Sequence, residues 1–237
     1  MTELHEVLGG PPAVWVGHSL GCTIGWAMAT NQPIGVALPR IDRTIYPVDR
    51  FPYGQWDYMQ FYAEHFTRAV RDFEANTARF IDMSYTRGSP DGVGKPTPLA
   101  SIRGQGAWFP PGSEAPPISA SDTLLPAADG KVIVSALSRN GSSGPCAWHL
   151  NDRANIAFAA EAPNYGRISL PVLFLAGQWD TVCDAAYGHL AEPMREDCSN
   201  LTEESIPAGH MLMLERPDDV NRRIANWLSV QRISATG

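Results

Sequence analysis

Gly17 His18 Ser19 Leu20 Gly21 follow a short apolar run, Ala13 Val14 Trp15 Val16, and precede a segment with helical character, Cys22 to Thr30. The string is a G-x-S-x-G pentapeptide set between a strand signal and a helix signal, the context of a nucleophile elbow. A serine on so tight a strand-to-helix turn adopts a strained backbone, and the flanking glycines remove Cβ atoms that would clash there. The turn lifts the Ser19 hydroxyl clear of the sheet. Behind it, the helix N-terminus offers backbone N–H groups and a positive dipole end, so the Leu20 N–H is the first candidate donor to a developing oxyanion.

Outward from the elbow, Leu4, Val7 and Leu8 share one helical stripe closed by Gly9 Gly10 Pro11 Pro12, so a short helix leads into the first strand. The next strong strand signal is Pro171 Val172 Leu173 Phe174 Leu175 Ala176 Gly177, a continuous apolar run of the kind that parallel strands buried on both faces show. A weaker one spans Leu201 to Ile206, and any strand after the elbow helix is confined to Ile34 to Leu38. Between lies a long insert. From Trp56 to Thr86, Tyr58, Phe61, Tyr62, Phe66, Ala69, Val70, Phe73, Phe80 and Ile81 recur at helical spacing. Gly88 to Pro126 is crowded with Gly, Pro and Ser and reads as an irregular loop. Helical patterns return at Ala128 to Ser138 and Trp148 to Ala160, and Pro217 to Leu228 closes the chain with an amphipathic helix that has proline at its first turn. The expected fold class is α/β, a parallel sheet flanked by helices, with a core formed by residues 1–40 and 166–237 and a helical insert over 41–165.

Composition limits what such a fold could bind. A net charge of −7 on 237 residues argues against nucleic acid or an anionic membrane surface as partner. The N-terminal MTELHEVLGGPP has no basic segment followed by an apolar one, and no stretch reaches the roughly 18 apolar residues of a membrane span, so the expected location is cytoplasmic. Cys22, Cys146, Cys183 and Cys198 lie far apart without C-x-x-C spacing, which predicts neither a metal site nor a disulfide framework.

A serine hydroxyl needs a base to take its proton, and the base needs an acid to fix its tautomer. Asp180 follows the buried strand in Ala176 Gly177 Gln178 Trp179 Asp180, and His210 follows the last strand in Pro207 Ala208 Gly209 His210. Both fall where strands end, the place where open α/β sheets build their sites. Ser19, Asp180 and His210 therefore form a coherent catalytic set, with Asp184 as the fallback acid. Asp180 could alternatively cap a helix beginning at Thr181. His5, His65 and His189 read as solvated helix positions, and His18 as packing beside the elbow.

With these residues in place, the chain resembles the α/β-hydrolase superfamily, and within it the soluble epoxide hydrolase-like branch. The most specific segments are Pro52 Tyr53 Gly54 Gln55 Trp56 Asp57 Tyr58, Gly144 Pro145 Cys146 Ala147 Trp148 His149, and Ala208 Gly209 His210 with Glu215 Arg216 Pro217. The resemblance implies that the insert is a helical cap whose two tyrosines donate hydrogen bonds to an epoxide oxygen. Tyr58 matches the first; the second position is His149 here. A larger departure is Ser19, where that branch carries aspartate. Carboxylate attack on an epoxide gives an ester that water can hydrolyse, whereas serine attack would give an alkyl ether with no carbonyl to attack. The family also implies several strands before the elbow and a second oxyanion donor upstream, so the expectation is an N-terminally shortened form whose exposed sheet edge invites homo-oligomer formation.

The expected activity is thus hydrolysis of a small, apolar, uncharged substrate by Ser19, His210 and Asp180, with ester or acyl cleavage favoured and Leu20 supplying an oxyanion donor. Tyr58, His149, Trp108, Phe109, Trp148 and Trp179 are the candidate pocket walls. No metal or organic cofactor is implied. The alternative is a catalytically impaired or inactive epoxide hydrolase-like fragment, or residual epoxide opening by direct water attack with Tyr58 holding the oxygen.

Overall fold

The computed structural model describes residues 7, 9, 13–19, 21–22, 40–110, 112–161 and 166–232. Its helices in chain order are α1 (Asp57–Glu74), α2 (Thr77–Ser84), α3 (Ile102–Gln105), α4 (Ala127–Asn140), α5 (Ser143–Ala147), α6 (Asp152–Ala160), α7 (Glu192–Asp197), α8 (Leu212–Glu215) and α9 (Pro217–Val230). Strand β1 (Val172–Gly177) precedes α7, and β2 (Leu201–Ile206) follows it. The helix expected over Cys22 to Thr30, most of the opening helix and the short strand at Ile34 to Leu38 lie outside the described residues. The chain divides into two compact units. One comprises Met1–Ala37, Asn151–Val172 and Glu192–Thr202; the other comprises Leu38–Leu150, Leu173–Ala191 and Glu203–Gly237.

Strands β1 and β2 are hydrogen-bonded neighbours. The Val172 N–H donates to the Asn200 carbonyl at 2.9 Å, and the Gln178 N–H donates to the Ile206 carbonyl at 2.8 Å. Both partners advance together along the chain, as does the parallel bridge between Ile168 and Cys198, so the strands run parallel. A parallel pair needs a crossover, and α7 lies within it. The run Ala13 Val14 Trp15 Val16 reads as a strand but carries no ladder among the described residues; Val14, Trp15 and Val16 are 44%, 40% and 76% exposed.

In the second unit, α1 supplies the main core. Phe61, Tyr62, Ala69 and Phe73 fall on one helical face and pack with Ile102 and Cys146. The helix is broken only at His65, where φ is −136° and ψ 42°. Asn76 then caps α2, its side chain accepting from the Arg79 N–H at 3.1 Å. The composition-based loop over Gly88 to Pro126 takes defined turns, including short 3-10 segments at Pro90–Gly92 and Pro98–Ser101 as well as α3. Acids on α1 explain how a chain so rich in Gly and Pro is held. Asp57 accepts from the Arg103 N–H at 2.7 Å and Asp72 from the Trp108 N–H at 2.8 Å, while Glu74 accepts from Ser142 at 2.8 Å. These bonds satisfy backbone donors that no regular ladder reaches.

A separate cluster joins the strand ends to the last helix: Ile206, Ala208 and Val220 are buried against Leu175, Leu212, Met213 and Ile224. Val220 and Ile224 lie four residues apart on α9, the spacing that sets one stripe against a sheet. Among the described residues, no helix is long and apolar enough to cross a membrane.

Phe61 is 0% exposed at the centre of the α1 core, so Phe61→Ala removes a fully buried ring. The expected loss is about 3–5 kcal/mol, read as a lower urea midpoint at unchanged slope.

Candidate active site

Two loops leave the carboxyl ends of β1 and β2 side by side. The Trp179 N–H donates to the Ala208 carbonyl at 2.9 Å, one step beyond the strand ladder, and this bond sets the register of Asp180 against His210. His210 Nδ1 lies 2.9 Å from Asp180 Oδ2. A carboxylate only accepts, so in the neutral ring Nδ1 carries the proton and Nε2 is left as the basic nitrogen. The other Asp180 oxygen, Oδ1, accepts from the Val182 N–H at 2.8 Å and the Cys183 N–H at 2.9 Å. Asp180 thus caps the following turn with one oxygen and orients the imidazole with the other. The capping alternative and the contact with His210 are both present in one side chain. Tyr187 donates its hydroxyl to the Asp180 carbonyl at 3.0 Å, pinning the loop from its far end.

What holds His210 in turn is a set of close backbone contacts. A Cβ on Gly177 would meet the Gly209 oxygen at 2.5 Å, and one on Gly209 would meet the Gly88 Cα at 2.6 Å. Only glycine permits these approaches. Glu215 closes the arrangement, its Oε2 accepting from the N–H of Gly88 and of Gly209, each at 3.1 Å. Glu215 and Gly88 were not among the expected site residues. A carboxylate that binds backbone donors leaves no partner side chain to find in the sequence, although Glu215 stands in one of the segments that carry the family resemblance.

Ser19 is described within the first unit. Its φ is +53°, the left-handed region that non-glycine residues seldom enter. The turn is closed by the Gly21 N–H donating to the His18 carbonyl at 2.8 Å, and by the Cys22 N–H donating to the Ser19 carbonyl at 2.9 Å. A Cβ on Gly17 would meet the Gly21 oxygen at 2.5 Å, so the first glycine of the pentapeptide is sterically required. Strain at an exposed serine is the local signature of an elbow. Leu20, the expected oxyanion donor, lies outside the described residues.

Several expected wall residues share one aromatic cluster in the second unit. The His149 ring stacks on Tyr62, with centroids 4.8 Å apart and planes 8° from parallel. Tyr58 meets His149 edge-on at 5.4 Å and Trp108 at 6.1 Å. Burial pushes the His149 imidazolium down to about 4, so this histidine is a neutral ring at neutral pH. Phe109 is buried, Trp179 half-buried, and Trp148 is 55% exposed. The hydroxyl of Tyr62 is pushed well above the ordinary tyrosine range, also by burial.

One donor set merits a metal test. Single ligand atoms of Asp180, Cys183 and His210 lie within 4.8 Å of one another. Both Asp180 oxygens already accept hydrogen bonds, and Nδ1 of His210 takes part in one of them. Three of the roughly four acceptor sites of the carboxylate are taken, so the trio fits a hydrogen-bonded Asp–His pair beside a thiol better than a cation cradle. Asp184, the fallback acid, bonds elsewhere: Gln55 Nε2 donates to its Oδ1 at 3.2 Å.

A profile of the Alpha/beta hydrolase family matches residues 2–223, and the chain belongs to that family. Among solved structures, it is similar to epoxide hydrolase A from Mycobacterium thermoresistibile, with TM-score 0.69 and 21% identity over 96% of this chain and 72% of that one. It is also similar to an epoxide hydrolase from an endophytic Streptomyces, with TM-score 0.66 and 24% identity over 98% and 72%. A mutant of potato epoxide hydrolase gives TM-score 0.68 and 16% identity over 96% and 73%. At these identities the likeness is one of fold.

Two outcomes follow from this geometry. Gly209→Ala places a methyl group against Gly88, so it is expected to lower the melting temperature and to abolish the downfield proton resonance of His210 Nδ1–H. For His149, the folded midpoint near 4 lies below its ordinary 6.5. The unfolded chain therefore takes up the proton first, and the stability present above that ordinary value is lost as pH falls toward the folded midpoint. His149→Phe, which keeps the stacked ring, is expected to flatten this part of the stability profile in urea titrations.

Proposed function

We propose that the chain hydrolyses an ester, thioester or lactone of a small apolar acid, with Ser19 as nucleophile, His210 as general base and Asp180 as its orienting acid. The observation that carries the reading is the 2.9 Å contact between His210 Nδ1 and Asp180 Oδ2, built from loops that follow neighbouring parallel strands. The strained turn at Ser19 and membership of the Alpha/beta hydrolase family support it.

The proposed reaction balances without a cofactor. Nε2 of His210 takes the Ser19 proton as Oγ attacks the carbonyl carbon; the tetrahedral oxyanion collapses, and the leaving alkoxide or thiolate receives that proton. Water, activated by the same Nε2, then hydrolyses the acyl-serine. The Leu20 N–H is the proposed oxyanion donor. Tyr58 and His149 are proposed to face the substrate from the insert, with Trp108, Phe109, Trp148 and Trp179 as apolar walls. A neutral His149 suits an uncharged ligand, because it adds no charge to an aromatic site.

The similar solved structures are of epoxide hydrolases, and direct opening of an epoxide by a His210-activated water is the second reading, with Tyr58 binding the oxygen. One pair of assays separates them. A fluorophosphonate probe is expected to label the wild type, and labelling is expected to vanish in Ser19→Ala and in His210→Ala. Hydrolysis of p-nitrophenyl acetate is expected to fall on the order of a thousandfold or more in Ser19→Ala, and by a similar factor in Asp180→Asn. Diol formation from styrene oxide that survives Ser19→Ala would support the second reading instead. Folded protein with neither activity would favour the catalytically impaired or inactive alternative.

A further inference from the structure

Gln55 and Asp184 are 0% and 2% exposed, 129 positions apart in the chain, and joined by the Gln55 Nε2 to Asp184 Oδ1 hydrogen bond at 3.2 Å. Each has one further polar atom, Gln55 Oε1 and Asp184 Oδ2, and both atoms are buried with no hydrogen-bond partner. An ionised carboxylate with an unpartnered, desolvated oxygen is among the most unfavourable groups a protein interior can hold. The amide oxygen of the same pair is a second buried acceptor without a donor. A single proton resolves both defects. Placed on Oδ2, it turns that oxygen into a donor, and the complementary acceptor on the partner is Oε1. An amide and a carboxylic acid then form a closed two-point pair, one N–H donating to carboxyl oxygen and one O–H donating to amide oxygen.

We propose that Asp184, when protonated, forms a two-point pair with Gln55, and that this pair clamps the loop carrying Asp180 to the turn that starts α1. The placement gives the clamp its reach. Gln55 lies in the 3-10 turn Gly54–Trp56 immediately before α1, and Asp184 lies four residues past Asp180. Gly188 seals the carboxyl: its N–H donates to the Asp184 carbonyl at 2.6 Å, and a Cβ there would meet Oδ2 at 2.6 Å.

The net effect of the surroundings is in the same direction. The Asp184 carboxyl is pushed up to about 6, chiefly by burial and in lesser part by the acids Asp42 and Asp180, against a lowering hydrogen bond from its own backbone and the opposing effect of His189. Tyr46 and Tyr187 face the same carboxyl, and both hydroxyls are pushed up, chiefly by burial. Because the folded value lies above the ordinary carboxylate range, the stabilisation is fully present below pH about 4 and is lost as pH rises through the folded midpoint. The clamp therefore releases toward neutral and alkaline pH, where the carboxylate loses its donor role and the pair is reduced to one bond. Asp184 is directed away from the role of orienting acid by its bond to Gln55, whereas the carboxyl that meets His210 is that of Asp180.

Carbon-13 NMR of the intact chain labelled at Asp and Gln tests this without reference to activity. Asp184 Cγ, assigned from its loss in Asp184→Asn, is expected to titrate with a midpoint near 6, and the Gln55 Cδ resonance is expected to follow the same midpoint. Asp184→Asn preserves one donor and one acceptor for Gln55. Its melting temperature is expected to gain on that of the wild type steadily between pH 5 and pH 8. Over the same range, hydrogen-exchange protection of the Val182 and Cys183 amides is expected to fall in the wild type and to hold in Asp184→Asn. A midpoint at or below the ordinary aspartate value, or a Gln55 carbonyl that ignores the Asp184 titration, would overturn the proposal. So would a melting-temperature difference that stays constant with pH. None of these results depends on Ser19, so the clamp and the hydrolase reading stand or fall separately.

Discussion

Gly209 sits with its backbone enclosed by two other glycines, and the position of the imidazole next to it depends on that enclosure. Added Cβ atoms at Gly88 and Gly177 would come within 2.4 Å and 2.5 Å of Gly209 backbone atoms. The interior has no slack to absorb such an overlap. Three segments far apart in the chain therefore converge on one peptide: the end of β1, the residues after β2, and the start of the Gly- and Pro-rich stretch of the insert. The Glu215 carboxylate holds two of these segments by their N–H groups. Charge-assisted bonds of this kind are about twice as strong as neutral ones. The side chain of His210 inherits its position from this backbone arrangement, and Asp180 supplies the remaining constraint.

What was legible in the sequence follows from how local each signal is. Strand β1 is a continuous apolar run and α9 an amphipathic stripe behind a proline, so both were read within a residue or two of their observed bounds. Asp180 and His210 were legible because a parallel sheet puts its chemistry just past the strand ends, and each stands three or four residues beyond one. Choosing Asp180 over Asp184 was harder. Both follow β1, and what separates them is which carboxyl turns toward the β2 loop and which turns toward Gln55. That contact spans 129 positions and leaves no mark on local spacing. Glu215 escaped notice as a site residue for a related reason: its partners are main-chain donors, which every residue but proline has. The loop after Gly88 was legible as irregular but not as held, because the acids that hold it lie on α1 and bond to backbone. Val14, Trp15 and Val16 read as strand from their apolar, β-branched and aromatic character, but a strand exists through its neighbours, and the short segment expected after the elbow helix, Ile34 to Leu38, lies outside the described residues.

The acids of the second unit divide into distinct kinds of work. Asp57, Asp72, Glu74 and Glu215 accept from backbone N–H groups that would otherwise be orphaned. Asp180 serves backbone and imidazole at once. The chain's negative charge is therefore partly structural. Carboxylates stand in for the ladder bonds that a sequence rich in Gly and Pro cannot form for itself. Neutralising one of them by mutation removes the acceptor and strands a partly buried donor, a larger cost than the loss of a surface acid paired with arginine.

An aspartate–histidine pair of this geometry does not by itself choose a reaction. It can take a proton from a serine, from a water attacking an ester, or from a water attacking an epoxide, because in each case Nε2 receives the proton and Asp180 stabilises the imidazolium. The solved structures of similar fold carry the name epoxide hydrolase, but a shared frame transmits no more than the placement of such a pair. In the proposed mechanism, the choice falls to residue 19. An aspartate there would make an ester that the pair could hydrolyse, whereas a serine makes a hydrolysable adduct only when the substrate itself brings a carbonyl. The strained turn displays whichever side chain stands at its apex, so under the proposed mechanism one substitution there would change which substrates complete a catalytic cycle while leaving the Asp180–His210 pair, its glycines and its Glu215 support untouched.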